Sequence, residues 1–192
     1  MRLGVFGGTF DPPHVGHLIV AQDACTVLGL DRVLFVAAAV PPHKQDRVTT
    51  PAPLRLEMLE AALDGDERFE ACAHELRRAG PSYTVDTLRE LRRERPGAEI
   101  FLLLGADQVR ELHLWREPAA IAELATIVEL SRAGVDAAPP GNGMVCRRLE
   151  VTPIGLSSTE IRRRVRAGEP IRYLVPPAVE SIIRREGLYR EP

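Results

Sequence analysis

Two histidines three positions apart, His14 and His17, stand out in the run GVFGGTFDPPHVGH (Gly4 to His17). Residues at i and i+3 share one face of a helix, and the apolar spacing that follows them predicts that a helix starts here. The first turn of a helix carries backbone N–H groups without intrahelical partners, and its dipole favours anions. Two imidazoles at that end add hydrogen-bond donors suited to phosphate oxygens. Zinc is the competing chemistry, but it needs further ligands at compatible spacing, and none is evident. Gly7 and Gly8, just ahead of the histidines, read as a tight turn that lets a ligand approach the backbone. Neither a GxxxxGK[ST] phosphate loop nor a GxGxxG dinucleotide fingerprint is present. The second apolar run ends in AAAVPPHK, without the carboxylate that would hold a dinucleotide ribose, so a nicotinamide-dependent dehydrogenase is disfavoured.

The segment GLSSTEIRRR (155–164) repeats this logic far along the chain. Ser157 and Glu160 have capping-box spacing, which predicts another helix start. Ser158 and Thr159 add hydroxyls and Arg162 lies one turn in, a set suited to a polyphosphate. Lys44 is the only lysine among 25 basic residues. An ammonium and a guanidinium are not equivalent at a bound phosphate, which makes Lys44 a further candidate.

These residues need a frame that brings them together. RLGVF (2–6), DRVLFVAAAV (31–40), RFEACA (68–73), EIFLLLGAD (99–107), TIVEL (126–130) and CRRLEVTPI (146–154) read as strands, several of them apolar throughout. Between them lie helical patterns at HVGHLIVAQDACTVLGL (14–30), APLRLEMLEAAL (52–63), SYTVDTLRELRRER (82–95) and EPAAIAELA (117–125). Two more helices, SSTEIRRRVRAG and PPAVESIIRREG, follow the last strand. Apolar strands alternating with helices predict an α/β protein with a doubly wound parallel sheet covered on both faces. Ligands in such sheets sit beyond the carboxyl ends of the strands. The chain is expected to form one domain over 1–192, with a small C-terminal helical cap from about 157.

Composition narrows the class. Net charge is −2, which argues against wholesale binding to nucleic acid or anionic membrane. No apolar run reaches a membrane span and no signal-peptide pattern opens the chain, so cytoplasm is expected. Cys25, Cys72 and Cys146 are scattered and odd in number, which reads as reduced, partly buried thiols.

Taken together, the GGTFDPP loop, HVGH and a late SSTEIR resemble the HxGH nucleotidylyltransferase superfamily. PPHK, ELRRAGPSYTVDTLREL, LLLGADQVRELHLWREPAAI and YLVPPAVESIIRREGLY extend the resemblance over nearly the whole chain, specifically to nicotinate mononucleotide adenylyltransferases. The resemblance implies a Rossmann-like fold and a reaction joining ATP to nicotinate mononucleotide, with release of pyrophosphate. It implies that His14, His17, Lys44 and Arg162 carry the chemistry. It also implies that Gly7, Gly8, Thr9, Phe10, Gly105, Asp107, Ser157 and Ser158 join His14, His17 and Arg162 around ATP. Lys44, Tyr83, Thr84 and Trp115 would hold the mononucleotide, Trp115 by stacking on its cationic pyridine ring. Asp107 could equally cap a helix. Mg²⁺ is expected with ATP, held by phosphates and water; no dedicated protein metal site is expected. Another HxGH adenylyltransferase, acting on nicotinamide mononucleotide or phosphopantetheine, and a nucleotide-binding regulator without turnover remain open, as does a homo-oligomer. The chain reads Arg132-Ala133-Gly134 where that family usually has Arg-Pro-Gly.

Overall fold

The computed structural model describes residues 1–39, 50–78, 80–132 and 144–190. Its strands are β1 (Arg2–Gly8), β2 (Arg32–Ala37), β3 (Phe69–Cys72), β4 (Glu99–Gly105), β5 (Thr126–Arg132) and β6 (Arg147–Val151). They form one sheet in the order β3-β2-β1-β4-β5-β6, every pair parallel. The chain runs outward from β1 to β3, then returns to the other side of β1 as β4. The β1–β4 seam is therefore the switch point, and the crevice for a ligand opens at the carboxyl ends of these two strands.

The inner strands β2 and β4 are apolar almost throughout because both their faces are buried. Leu3, Val5, Leu34, Val36, Ile100, Leu102 and Leu104 point to one face, where they pack with Val85, Leu88, Leu91, Val109, Leu112 and Ile121. Those partners come from α4 (Thr84–Glu94), α5 (Ala106–Glu111), a 3₁₀ turn (Leu112–Leu114) and α6 (Pro118–Leu124). The intervening residues Val33, Phe35, Ala37, Phe101 and Leu103 point to the other face, against α1 (Val15–Leu28) and α2 (Ala52–Leu63). This two-residue alternation places helices on both faces, as the apolar patterning predicts.

A third cluster ties the C-terminal helices down. Ile161 of α7 (Ser158–Arg166) and Val179, Ile182 and Ile183 of α8 (Pro177–Arg185) pack against Met58 and Ala62 of α2. The short α3 (His74–Arg77) lies where the sequence predicts no helix, and α5 starts one residue ahead of Asp107, which alternatively reads as a helix cap in the sequence. Ala106 and Asp107, read as the end of a strand, are helical because the Gly105 amide donates to Gln108 Oε1 at 3.0 Å and turns the chain. Cys25, Cys72 and Cys146 are free thiols, the first two buried. Among the described residues no helix is long and apolar enough to cross a membrane.

Candidate active site

His14 is the N-cap of α1 and His17 its third helical residue. The His14 backbone N–H donates to His17 Nδ1 at 3.1 Å, and the two rings stack with centroids 3.7 Å apart. Because Nδ1 of His17 accepts a bond, the neutral ring carries its proton on Nε2, leaving that N–H as a donor. Phe6 and Phe10 meet the His17 ring edge-on, at 6.1 and 5.1 Å. Burial lowers the His14 pKa to about 4. Burial, reinforced by His14, holds His17 well below its ordinary value as well. Both imidazoles are therefore neutral donors at pH 7. Stacked rings do not converge on one ion, and among the described residues they stand in no group of three metal-ligating side chains. Among the described residues the one such group, His74, Glu90 and Glu94, lies on α3 and the C-terminal half of α4.

Gly16 explains the glycine in HVGH. A Cβ there would lie 3.0 Å from His14 Nδ1 and 3.2 Å from Ile154 Cγ2, so the imidazole would have to give way. Gly16→Ala is expected to lower kcat/KM about tenfold by shifting His14 a few tenths of an ångström. The melting temperature should barely move, because alanine's helix preference of up to about 1 kcal/mol opposes the crowding. Steady-state kinetics beside a thermal melt check this; unchanged kinetics in a folded variant would refute it.

The second helix start faces the first. Ser157 caps α7, accepting from the Glu160 amide at 3.2 Å. The reciprocal arm of the expected capping box is absent: Arg163 and Arg164 engage the Glu160 carboxylate and hold its pKa down. Ser158 Oγ donates to the Pro12 carbonyl at 2.8 Å, and Arg162 Nη1 donates to the Asp11 carbonyl at 2.7 Å. Residues 146 and 151 positions apart thus meet on the loop that leads into α1. From the C-terminal segment, Tyr189 OH donates to Asp11 Oδ1 at 2.6 Å. At α1 itself the Val15 amide goes to the Leu174 carbonyl and the His17 amide turns back to His14. The imidazoles, rather than those two amides, are what this end presents to an anion.

The glycine pair departs from the expected turn. Gly7 and Gly8 are the last residues of β1, paired with Val36 and Ala37 of β2, and neither has a positive φ. A Cβ on Gly7 would meet nothing within 4 Å, so the strand end borders open space. On Gly8 it would strike the Phe10 ring at 2.8 Å. Phe10, expected with its neighbours to line the ATP side through backbone and side-chain contacts, is only 2% exposed, so its side chain is not free to do so in this structure. It adopts φ 49°, packs in the core and buttresses His17. Thr9 presents its carbonyl to Arg55 Nη1 at 2.7 Å.

The other expected residues lie at the same edge of the sheet. Gly105 ends β4 and caps α5, which corrects the alternative reading of Asp107 as the cap. Asp107 is largely exposed and paired with Arg110. Tyr83 and Thr84 open α4 at the carboxyl edge, and Trp115 follows the 3₁₀ turn after β4. Tyr83 and Trp115 pack half-buried on the same core cluster. Sequence reasoning missed Arg116, whose guanidinium lies 4.8 Å from the Tyr83 ring centroid, and which faces Asp86 and Glu117. It also missed Asp11, Tyr189 and Arg55. Arg55 had a legible signal, since it stands on the buried stripe of α2 with Met58, Leu59 and Ala62. Lys44 and the loop after Arg132 lie outside the described residues.

Residues 5–164 match the cytidylyltransferase-like family. A Thermus thermophilus protein named "Probable nicotinate-nucleotide adenylyltransferase" is 50% identical over 99% of this chain and 100% of its own length. A Shouchella clausii protein of the same name is 45% identical over 98% of this chain and 96% of its own. The chain belongs to the nicotinate-nucleotide adenylyltransferase family. The fold also matches the Plasmodium falciparum nicotinic acid mononucleotide adenylyltransferase solved with NaAD, with a TM-score of 0.79 at 16% identity over 98% of this chain and 97% of that one. In this family member the HxGH signature ends at the start of α1, and SSTEIR forms the start of α7.

Proposed function

We propose that this enzyme transfers the adenylyl group of ATP to nicotinate mononucleotide, giving nicotinate adenine dinucleotide and pyrophosphate in NAD biosynthesis. The observation that carries this reading is the meeting of two helix starts at the Asp11–Pro12 main chain, with His14 and His17 on one and Ser158 and Arg162 on the other. A phosphate oxygen of the mononucleotide attacks the α-phosphorus of ATP, and the bond from that phosphorus to the bridging oxygen of pyrophosphate breaks. A phosphate monoester has a second pKa of about 6, so the nucleophile is already ionised and needs no side-chain base. No covalent enzyme intermediate forms. What the residues supply is alignment and charge stabilisation. His17 Nε2–H and the Arg162 guanidinium donate to the phosphates, and the open space beside Gly7 lets them approach β1. Such positioning contributes up to roughly 7–11 kcal/mol in favourable cases. Mg²⁺ enters as part of the ATP substrate. Asp11 is the carboxylate of this loop and is already bonded to Tyr189, so the donor set suits an ion held by phosphates and water.

The pyridine half of the substrate is assigned to Tyr83, Thr84 and Trp115, with Lys44 on the mononucleotide phosphate. The start of the eleven-residue α4 favours a carboxylate over a carboxamide through its dipole. Purified protein should release pyrophosphate from ATP with nicotinate mononucleotide, at a kcat/KM at least about tenfold above that for the amide nucleotide, the scale of one charge-assisted bond. Comparable values for both would refute the acid preference. No release with either would refute the activity.

A further inference from the structure

Arg55 lies outside the set that would touch substrate, yet it is 1% exposed and is the largest fully buried side chain among the described residues. Its hydrogen bonds go to main-chain carbonyls of three segments. Nη1 donates to Thr9 at 2.7 Å, Nη2 to Ala39 at 3.1 Å and Nε to Thr50 at 3.1 Å. Thr9 belongs to the loop after β1, Ala39 follows β2, and Thr50 precedes α2. Ala39 is gripped from its other side too: its N–H donates to Ser82 Oγ at 3.0 Å. The Ser82 hydroxyl bonds the buried Glu75 carboxylate, which also accepts from Thr87 Oγ1 at 3.0 Å. One chain of bonds thus runs from the phosphate-side loop at Thr9, through Arg55 and Ala39, to the residues just before Tyr83 and Thr84.

Burying a guanidinium costs several kcal/mol, and a well-packed apolar side chain at such a position is often neutral or stabilising. Fold stability alone is therefore a weak reason for an arginine on this stripe. A planar fork that reaches three carbonyls at once is a stronger one, and lysine cannot reproduce it.

We infer that Arg55 is a positioning residue for adenylyl transfer, holding the Thr9–Pro13 loop at a fixed distance from the segments beyond β2 and before α4, so that the two nucleotides are presented in line. The inference rests on the proposed function and uses the same assay. Arg55→Lys keeps the positive charge and most of the stem. In folded protein it should lower kcat at least about tenfold and raise KM for ATP severalfold, in keeping with the sensitivity of aligned reactions to small displacements. Arg55→Ala leaves a cavity, and methylguanidinium, but not methylammonium, should restore part of its kcat. A purely structural role predicts a different pattern: fewer folded molecules and a lower melting temperature, with kcat and both KM values per folded site unchanged. That pattern, or equal rescue by the two cations, overturns the inference. If Arg55→Ala does not fold, the Arg55→Lys kinetics alone decide; if neither variant folds, Arg55 is a stability residue and the inference fails. Absence of turnover in the unaltered enzyme would instead refute the proposed activity.

Discussion

His17→Ala lowers kcat by about 10²- to 10³-fold, the effect expected when one preorganised donor to developing charge is removed. The ring is held by the His14 backbone N–H on Nδ1, by the stacked His14 imidazole, and by edge contacts with Phe6 and Phe10. These leave Nε2–H aimed by the fold rather than by the ligand, and a donor that needs no reorganisation is worth most at the moment of reaction. His17→Asn keeps an N–H on a shorter arm and should recover about a tenth to a third of the activity. Alanine also forfeits the ring packing, so a melting temperature lower by a few degrees is expected alongside. Single-turnover rates at saturating ATP on protein shown to be folded separate the two effects. A folded His17→Ala enzyme within threefold of the parent rate would remove the histidine from the chemistry.

Arg162→Ala should act mainly on the ATP side, raising KM for ATP and lowering kcat by about tenfold each, the scale of losing one charge-assisted pair to phosphate. KM for the mononucleotide should change less than about threefold, because that substrate is assigned to α4 and Trp115. Arg162 already bonds the Asp11 carbonyl and reaches Thr159 Oγ1 at 3.4 Å, both uncharged acceptors. Arg162→Lys keeps the charge but gives up the fork, so it should recover part of the ATP affinity. Varying each substrate in turn checks this. Equal losses for both nucleotides would mean that the arginine shapes the loop as a whole.

Much of the frame was legible because it rests on local patterns. Apolar strands separated by amphipathic helices announce a buried parallel sheet, and HVGH and SSTEIR mark their own helix starts. What the chain does not display is pairing at a distance. Nothing near Tyr189 announces its bond to Asp11, and although Arg55 falls on the buried stripe of α2, its three carbonyl partners come into view only in the fold. Phe10 is placed beside ATP by the resemblance alone, and tertiary packing with an unusual backbone angle turns its side chain inward. Gly7 and Gly8 resembled a turn because glycine pairs usually mark one. Here they let β1 run on with open space above one residue and an aromatic ring above the next. Asp107 and Gly105 show the limit of capping rules, since a glycine with a favourably placed glutamine took the place expected of the carboxylate.

The bond between Tyr189 and Asp11 joins positions 178 apart. A chain leaving the ribosome exposes the loop at Asp11 early, and the phenol that braces it follows only after 178 more positions. Until both ends of that span have been made and folded together, the loop ahead of α1 is without this brace.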